Sequence, residues 1–214
     1  MTVHSLPSPQ LSSHRSVTTG RVTMLLILLA CAAPVIASYF AYYVIRPEGR
    51  TNYSTLIEPA RALPTLALST LDGQPVASPS LRGQWLLVLV AGGACDASCE
   101  SQLFVQRQLR EMLGRERDRI DKVWLITDAA SPSAALQATA NPTGAPLTML
   151  RVDRAALAAW LEPAPGRALE DHLYVVDPMG NWMMRAPAAA EPSRLKSDLS
   201  RLLRASGFWD EPGR

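Results

Sequence analysis

The sequence predicts an α/β domain built on a mixed sheet and carried behind one apolar helix. Three observations lead there. The stretch Val22–Ile45 runs for 24 residues without a charge. Further on, the short continuous apolar runs 85–90 (WLLVLV) and 123–126 (VWLI) have the character of strands buried on both faces of a sheet. Between and after them lie helix-period segments, and a strand–turn–strand unit precedes the last one. Alternating βαβ followed by an antiparallel hairpin and a closing helix makes an α/β sandwich with a mixed sheet.

Composition bounds the alternatives. The chain has 214 residues, enough for one ordinary domain and an appendage. With 48% hydrophobic and 19% charged residues it is too apolar for a disordered chain. A mean hydropathy of +0.04 leaves room for about one membrane span. A formal net charge of +2 gives no electrostatic case for nucleic acid. Three cysteines are too few for a disulfide-stapled scaffold. All basic residues but Lys122 and Lys196 are Arg, a bias typical of GC-rich bacterial coding.

Taken in order, residues 1–21 form a short tail, and residues 22–45 a transmembrane anchor. At 1.5 Å per residue the anchor reaches roughly 36 Å, against a hydrocarbon core of about 30 Å. Pro34 lies mid-span, and Tyr39, Tyr42 and Tyr43 cluster where an aromatic belt would sit. A cleaved signal peptide would have a shorter apolar core, roughly 7–15 residues. Cys31, inside the span, reads as a small apolar residue. Arg15 and Arg21 precede the span, and Arg46, Arg50 and Arg61 follow it, so charge does not set the orientation. The short tail favours an N-terminus in the cytoplasm. Residues 46–63 read as a polar tether, and the domain proper as 64–209.

Within that domain, Leu66 and Leu68 alternate before Asp72-Gly73, which suggests a short hairpin. The strand 85–90 is broken by Ala91-Gly92-Gly93-Ala94. A helix carrying Leu103, Phe104, Leu109, Met112 and Leu113 on one face extends to about Arg117. The strand 123–126 follows, then an Ala, Ser and Pro-rich loop over 128–145 with at most a short helical turn. A weak strand covers 146–152 and a short helix 155–161. Strand 173–176, turn 177–180, strand 182–185 and helix 193–205 complete the chain. Met179, Met183 and Met184 fit hairpin packing better than soft-metal chemistry.

The informative motif is Cys95-Asp96-Ala97-Ser98-Cys99, placed where a buried strand ends and a helix begins. Cysteines at i and i+4 lie one turn apart on a helix face. A helix N-terminus favours negative charge and eases thiol ionisation. Two such thiols can close a disulfide or, as thiolates, hold a soft ion such as Cu(I). They can also simply be two small buried residues.

Together with LDGQPV, LRGQW, the apolar strand and the VVDPMG turn, this motif resembles the Sco (SenC) family over about residues 64–206. The resemblance implies a thioredoxin-like fold, a membrane anchor and a role in assembling a copper site of cytochrome c oxidase. It implies copper held by Cys95, Cys99 and a later histidine, for which only His172 is available in the domain. Asp171-His172 ahead of Tyr174-Val175-Val176-Asp177-Pro178-Met179-Gly180 fits the family's pattern, but the spacing is about three residues short. His172 is therefore either a copper ligand on a shortened loop or an inert, hydrogen-bonded histidine at a strand entrance. Glu100 stands where the family has Pro after the second cysteine, and the loop after Thr127-Asp128 lacks the family's Pro and Arg pattern. Asp128, beside the cysteine loop, is a supporting group or a simple cap. The chain thus resembles a divergent relative.

Three functions remain. The first is a copper chaperone passing one ion to an oxidase subunit or another copper-assembly protein. The second is a thiol–disulfide reductase, with Cys95 attacking and Cys99 resolving. The third is a non-catalytic assembly factor whose cysteines form only a structural disulfide. The N-in orientation places the domain in the periplasm of a bacterial inner-membrane protein, where thiols can be oxidised, and the cysteine pair agrees with this.

Overall fold

The computed structural model describes residues 17–45, 52–140 and 146–208. They fall into two compact units divided between Arg50 and Thr51. The first is helix α1 (Val17–Phe40), continued by a π-helical turn, Ala41–Ile45. Gly20–Val44 within it has a mean hydropathy of 2.3, long and apolar enough to cross a membrane. The 1–16 tail and residues 46–51 lie outside the described residues.

The second unit is a mixed α/β fold. Its strands are β1 (Thr55–Ala62), β2 (Leu68–Ser69), β3 (Pro75–Val76) and β4 (Trp85–Ala91). After helix α2 (Ala97–Met112) come β5 (Ile120–Ile126), α3 (Ala134–Ala140), β6 (Leu147–Arg151) and α4 (Arg154–Trp160). Strands β7 (Leu173–Val176) and β8 (Asn181–Arg185) and helix α5 (Pro192–Ala205) finish it. The sheet order is β1-β8-β7-β4-β5-β6-β2-β3. Strands β4, β5 and β6 are parallel, with Trp85 facing Ile120 and Ala91 facing Ile126. On the other side β7 runs antiparallel to β4, with Leu89 opposite Leu173.

Burial on both faces explains the unbroken apolar run of β4. Leu87, Leu89 and Ala91 pack with Leu103 and Leu109 of α2 and Leu195, Leu199 and Leu203 of α5. Leu86, Val88 and Val90 pack on the opposite face with Leu157, Trp160, Tyr174 and Trp182. Met184 joins the first core, whereas Met179 is exposed in its turn.

Three expectations are corrected. The tether expected over 46–63 contains β1, an eight-residue strand paired antiparallel with β8. It sits at the sheet edge with mostly exposed side chains and tolerates Pro59 there, so no alternation betrays it. Asp198 of α5 fixes its entry by accepting from the Tyr53 and Ser54 amides at 3.3 and 2.8 Å. Helix α2 ends at Met112, five residues short of Arg117, and Gly114 follows at φ +58°. In the loop expected over 128–145, a seven-residue helix, α3, replaces the single turn.

Candidate functional site

Parallel pairing brings the C-terminal ends of the central strands β4 and β5 together at one end of the sheet. After Ala91 the chain turns through Gly92-Gly93-Ala94, and the Cys95 N–H donates to Gly92 O at 3.2 Å. Cys95 has φ +48°, in the left-handed region. Asp96 caps α2, its Oδ1 accepting from the Cys99 N–H at 2.9 Å. Left-handed Cys95 and first-turn Cys99 bring their Cα atoms to 5.2 Å, and the sulfurs are joined in a disulfide. Both residues are nearly buried, Cys95 at 8% and Cys99 at 4% exposure, and belong to the α2–α5 core.

The pair lines a cleft of about 280 Å3 with Gly92, Asp96, Ser98, Glu170 and Asp171. Glu170 reaches there on the short 3-10 turn before β7. Arg154 holds it bidentately, Nε–Oε1 at 2.8 Å and Nη2–Oε2 at 3.1 Å, which keeps its carboxyl below the usual range. Its carbonyl accepts from Gln102 Nε2 at 2.6 Å, tying this turn to α2. Glu100 lies elsewhere, in a 340 Å3 groove between α2 and α3 lined by Leu103, Phe104 and Leu136.

His172 is next along the chain and faces away. Leu173 belongs to the core on the cysteine side of the sheet, and Tyr174 to the opposite core. Strand alternation puts His172 on the Tyr174 side, where the two rings stand edge to face at 6.2 Å. Its Nδ1 donates to Ala186 O at 2.8 Å and its Nε2 accepts from the Ala164 N–H at 3.2 Å. The residue is 1% exposed, and burial pushes its pKa below the ordinary 6.5. Among the described residues no three His, Cys, Asp or Glu side chains converge on a metal site.

The family profile of the transmembrane-like, thioredoxin-like, C-terminal domain matches residues 85–206. The chain belongs to this family. Its structural neighbours include Sco1/SenC family proteins. The solution structure of apo Sco1 from Thermus thermophilus superposes with a TM-score of 0.55 at 18% identity, covering 73% of this chain and 99% of that one. Copper-bound yeast Sco1 gives 0.52 at 12% identity, covering 68% and 94%. A SCO1/SenC family lipoprotein from Bacillus anthracis gives 0.50 at 15% identity, covering 68% and 98%. At such identities the likeness shows the fold, which is thioredoxin-like. No curated protein matches the chain by sequence.

In this transmembrane-like, thioredoxin-like chain, then, Cys95 and Cys99 come together and His172 does not join them. The ligand set Cys95, Cys99 and His172 does not fit copper, because both imidazole nitrogens are committed on the far side of the sheet. The two sulfurs alone, once reduced, are a suitable soft pair. Asp128 lies against the cysteine turn, Oδ1 accepting from the Gly93 N–H at 2.9 Å. Glu170 and Arg154 stand 16 residues apart in sequence, and only the packing of α4 beside the turn before β7 joins them. No sequence spacing marks that pair.

Proposed function

We propose that this chain is a membrane-anchored thiol–disulfide protein of Sco-like architecture, with Cys95 and Cys99 as its working couple. The observation that carries this reading is the Cys95–Cys99 disulfide, closed at the N-terminus of α2 and lining an open cleft. In the reduced protein, Cys95 thiolate attacks a sulfur of a partner disulfide and expels one partner thiolate. Cys99 thiolate then attacks Cys95 Sγ, expels the second partner thiol and closes the Cys95–Cys99 bond. Two electrons pass to the partner, which ends as a dithiol. The amide dipoles of the 16-residue α2 favour the thiolates, while Asp96, Glu170 and Asp171 around the cleft oppose them. The partner is a cytochrome c oxidase subunit or another copper-assembly protein, and the domain works in the periplasm. The resemblance to Sco proteins in motif and fold supports both statements.

A second reading rests on the copper-bound state of the yeast Sco1 neighbour. Copper is then cargo, held as Cu(I) by the reduced Cys95 and Cys99 and passed on by ligand exchange, without His172.

The test uses the full chain in detergent. On the thiol reading, the couple equilibrates with glutathione, Cys95→Ser abolishes reduction of a model disulfide, and Cys99→Ser accumulates the mixed disulfide. Titrating the reduced chain with Cu(I) against a competing chelator decides the second reading. One equivalent lost in Cys95→Ser and kept in His172→Ala establishes two-cysteine carriage, and no competitive binding removes it. A disulfide that resists glutathione and dithiothreitol leaves a structural cross-link and a non-catalytic assembly factor.

A further inference from the structure

We propose that Asp128 is the positioning residue of the Cys95–Cys99 couple: it fixes the turn that presents Cys95, and thereby how readily the disulfide is reduced. The inference rests on the thiol–disulfide reading above.

The parallel pair β4–β5 ends with Ala91 beside Ile126, and the Thr127 N–H donates to Ala91 O at 3.2 Å. The loops leaving the two strands therefore start side by side. Asp128 Oδ1 bridges them, accepting from the Gly93 N–H at 2.9 Å on one loop and the Ala130 N–H at 3.0 Å on its own. The contact is close enough to exclude a side chain from the cysteine turn. A Cβ at Gly92 would stand 2.5 Å from Asp128 Oδ2, and one at Gly93 only 2.1 Å from Ala130 O. Gly93 is demanded by this approach, because its Cβ would meet backbone, whereas at Gly92 the neighbour is the Asp128 side chain itself.

The Asp128 loop is itself anchored. Arg151 Nη1 donates to Asp128 O at 2.8 Å and Ala130 O at 3.0 Å, and its Nη2 donates to Ser131 Oγ at 3.0 Å. Cys95 follows Gly93 by two residues and holds a left-handed φ of +48°. A non-glycine residue keeps such a conformation only when its surroundings over-determine it. The disulfide to Cys99 and the core hold Cys95 itself, and the Asp128–Gly93 bond pins the turn that leads to it.

The consequence is redox. Reduction of the couple by two glutathione thiols gives Cys95–SH, Cys99–SH and oxidised glutathione. Closure of the couple is favoured in proportion to how closely the two thiols are held together when reduced. A pinned turn keeps Cys95 beside Cys99, and a freed turn lets it swing away. Loss of the Asp128 carboxylate thus makes the disulfide easier to reduce.

The experiment equilibrates the full chain in detergent with reduced and oxidised glutathione and reads the reduced fraction by alkylation. In Asp128→Ala the constant for closure is expected to fall about tenfold, a potential about 30 mV less negative. Asp128→Asn keeps an oxygen for the Gly93 N–H and should stay within about threefold of wild type. Gly93→Ala, which forces the turn off Ala130, should shift the constant in the same direction as Asp128→Ala. Arg204→Ala, at the exposed end of α5 far from the cysteine turn, should leave it unchanged. A constant for Asp128→Ala within about twofold of wild type overturns the inference, and so does an Asn variant shifted as far as the Ala variant. Should Asp128→Ala fail to fold, an unshifted Gly93→Ala overturns it alone. A wild-type disulfide that never exchanges overturns the thiol–disulfide reading, and the positioning role with it.

Discussion

His172 is neutral in the folded protein because burial resists its charge, and its Nε2 is needed as an acceptor from Ala164. Its folded pKa therefore lies below the unfolded value of about 6.5. As pH falls below that value, the unfolded chain binds a proton that the folded protein refuses. Stability accordingly falls with pH until the folded pKa is reached, and levels off below it. Denaturant midpoints from pH 7.5 to 5.5 should show this slope, and His172→Asn should lose that share of it. His172→Ala leaves the Ala164 N–H and Ala186 O without their partner and should cost about 1–3 kcal/mol, read by urea unfolding. The same variant should leave glutathione exchange at Cys95–Cys99 unchanged, because the ring lies across the sheet. A large change in exchange would place His172 in the redox site after all.

Helix α2 does two jobs, and its residues divide between them. Its first turn holds Asp96 and Cys99. Further along, buried Gln106 donates through Nε2 to the carbonyls of Leu87 on β4 and Val123 on β5. That side chain fixes the helix over the junction of the two central strands. Gln106→Ala should lower stability by about 1–3 kcal/mol while leaving the redox constant within error, since the cysteine end is held separately by Asp96 and Asp128. Strand β1 offers the second test at this scale. Arg61 O accepts from Trp160 Nε1 at 3.0 Å, and the Arg61 guanidinium sits 5.5 Å over the Trp182 ring. Deleting 52–62 from the full chain uncovers β8 and strips Asp198 of two amide donors. The melting temperature, followed by near-UV circular dichroism, should drop by about 5 °C or more. An unchanged melt would return this segment to the status of a tether.

At the scale of the whole molecule, α1 is long and apolar enough for a membrane, and the cysteine cleft opens at the carboxyl end of the central strands. The chain should stay in the membrane fraction through carbonate extraction, and deletion of 17–45 should release it. An alkaline phosphatase fused at the C-terminus should be active, as the proposed periplasmic orientation requires. An inactive phosphatase there, with an active β-galactosidase fused at the same point, would reverse that orientation and remove the oxidising compartment on which the redox reading depends.

The sequence by itself determined what local pattern can encode. The apolar anchor follows from length and the absence of charge. Strands β4, β5 and β7 follow from continuous apolar runs, and helices α2 and α5 from their 3.6-residue period. The cysteine pair follows from a four-residue spacing at a strand–helix junction. Tertiary structure alone decided which side of the sheet each group occupies and what meets there. Strand β1 was illegible because an exposed edge strand buries too little to show alternation. His172 stood in a motif that fitted a ligand, yet its place in the strand turned it away from the sulfurs. Asp128 with Gly93, and Arg154 with Glu170, are joined by the pairing of β4 with β5 and the packing of α4. Such contacts depend on register and loop closure between segments far apart in the chain, and no local periodicity carries that information.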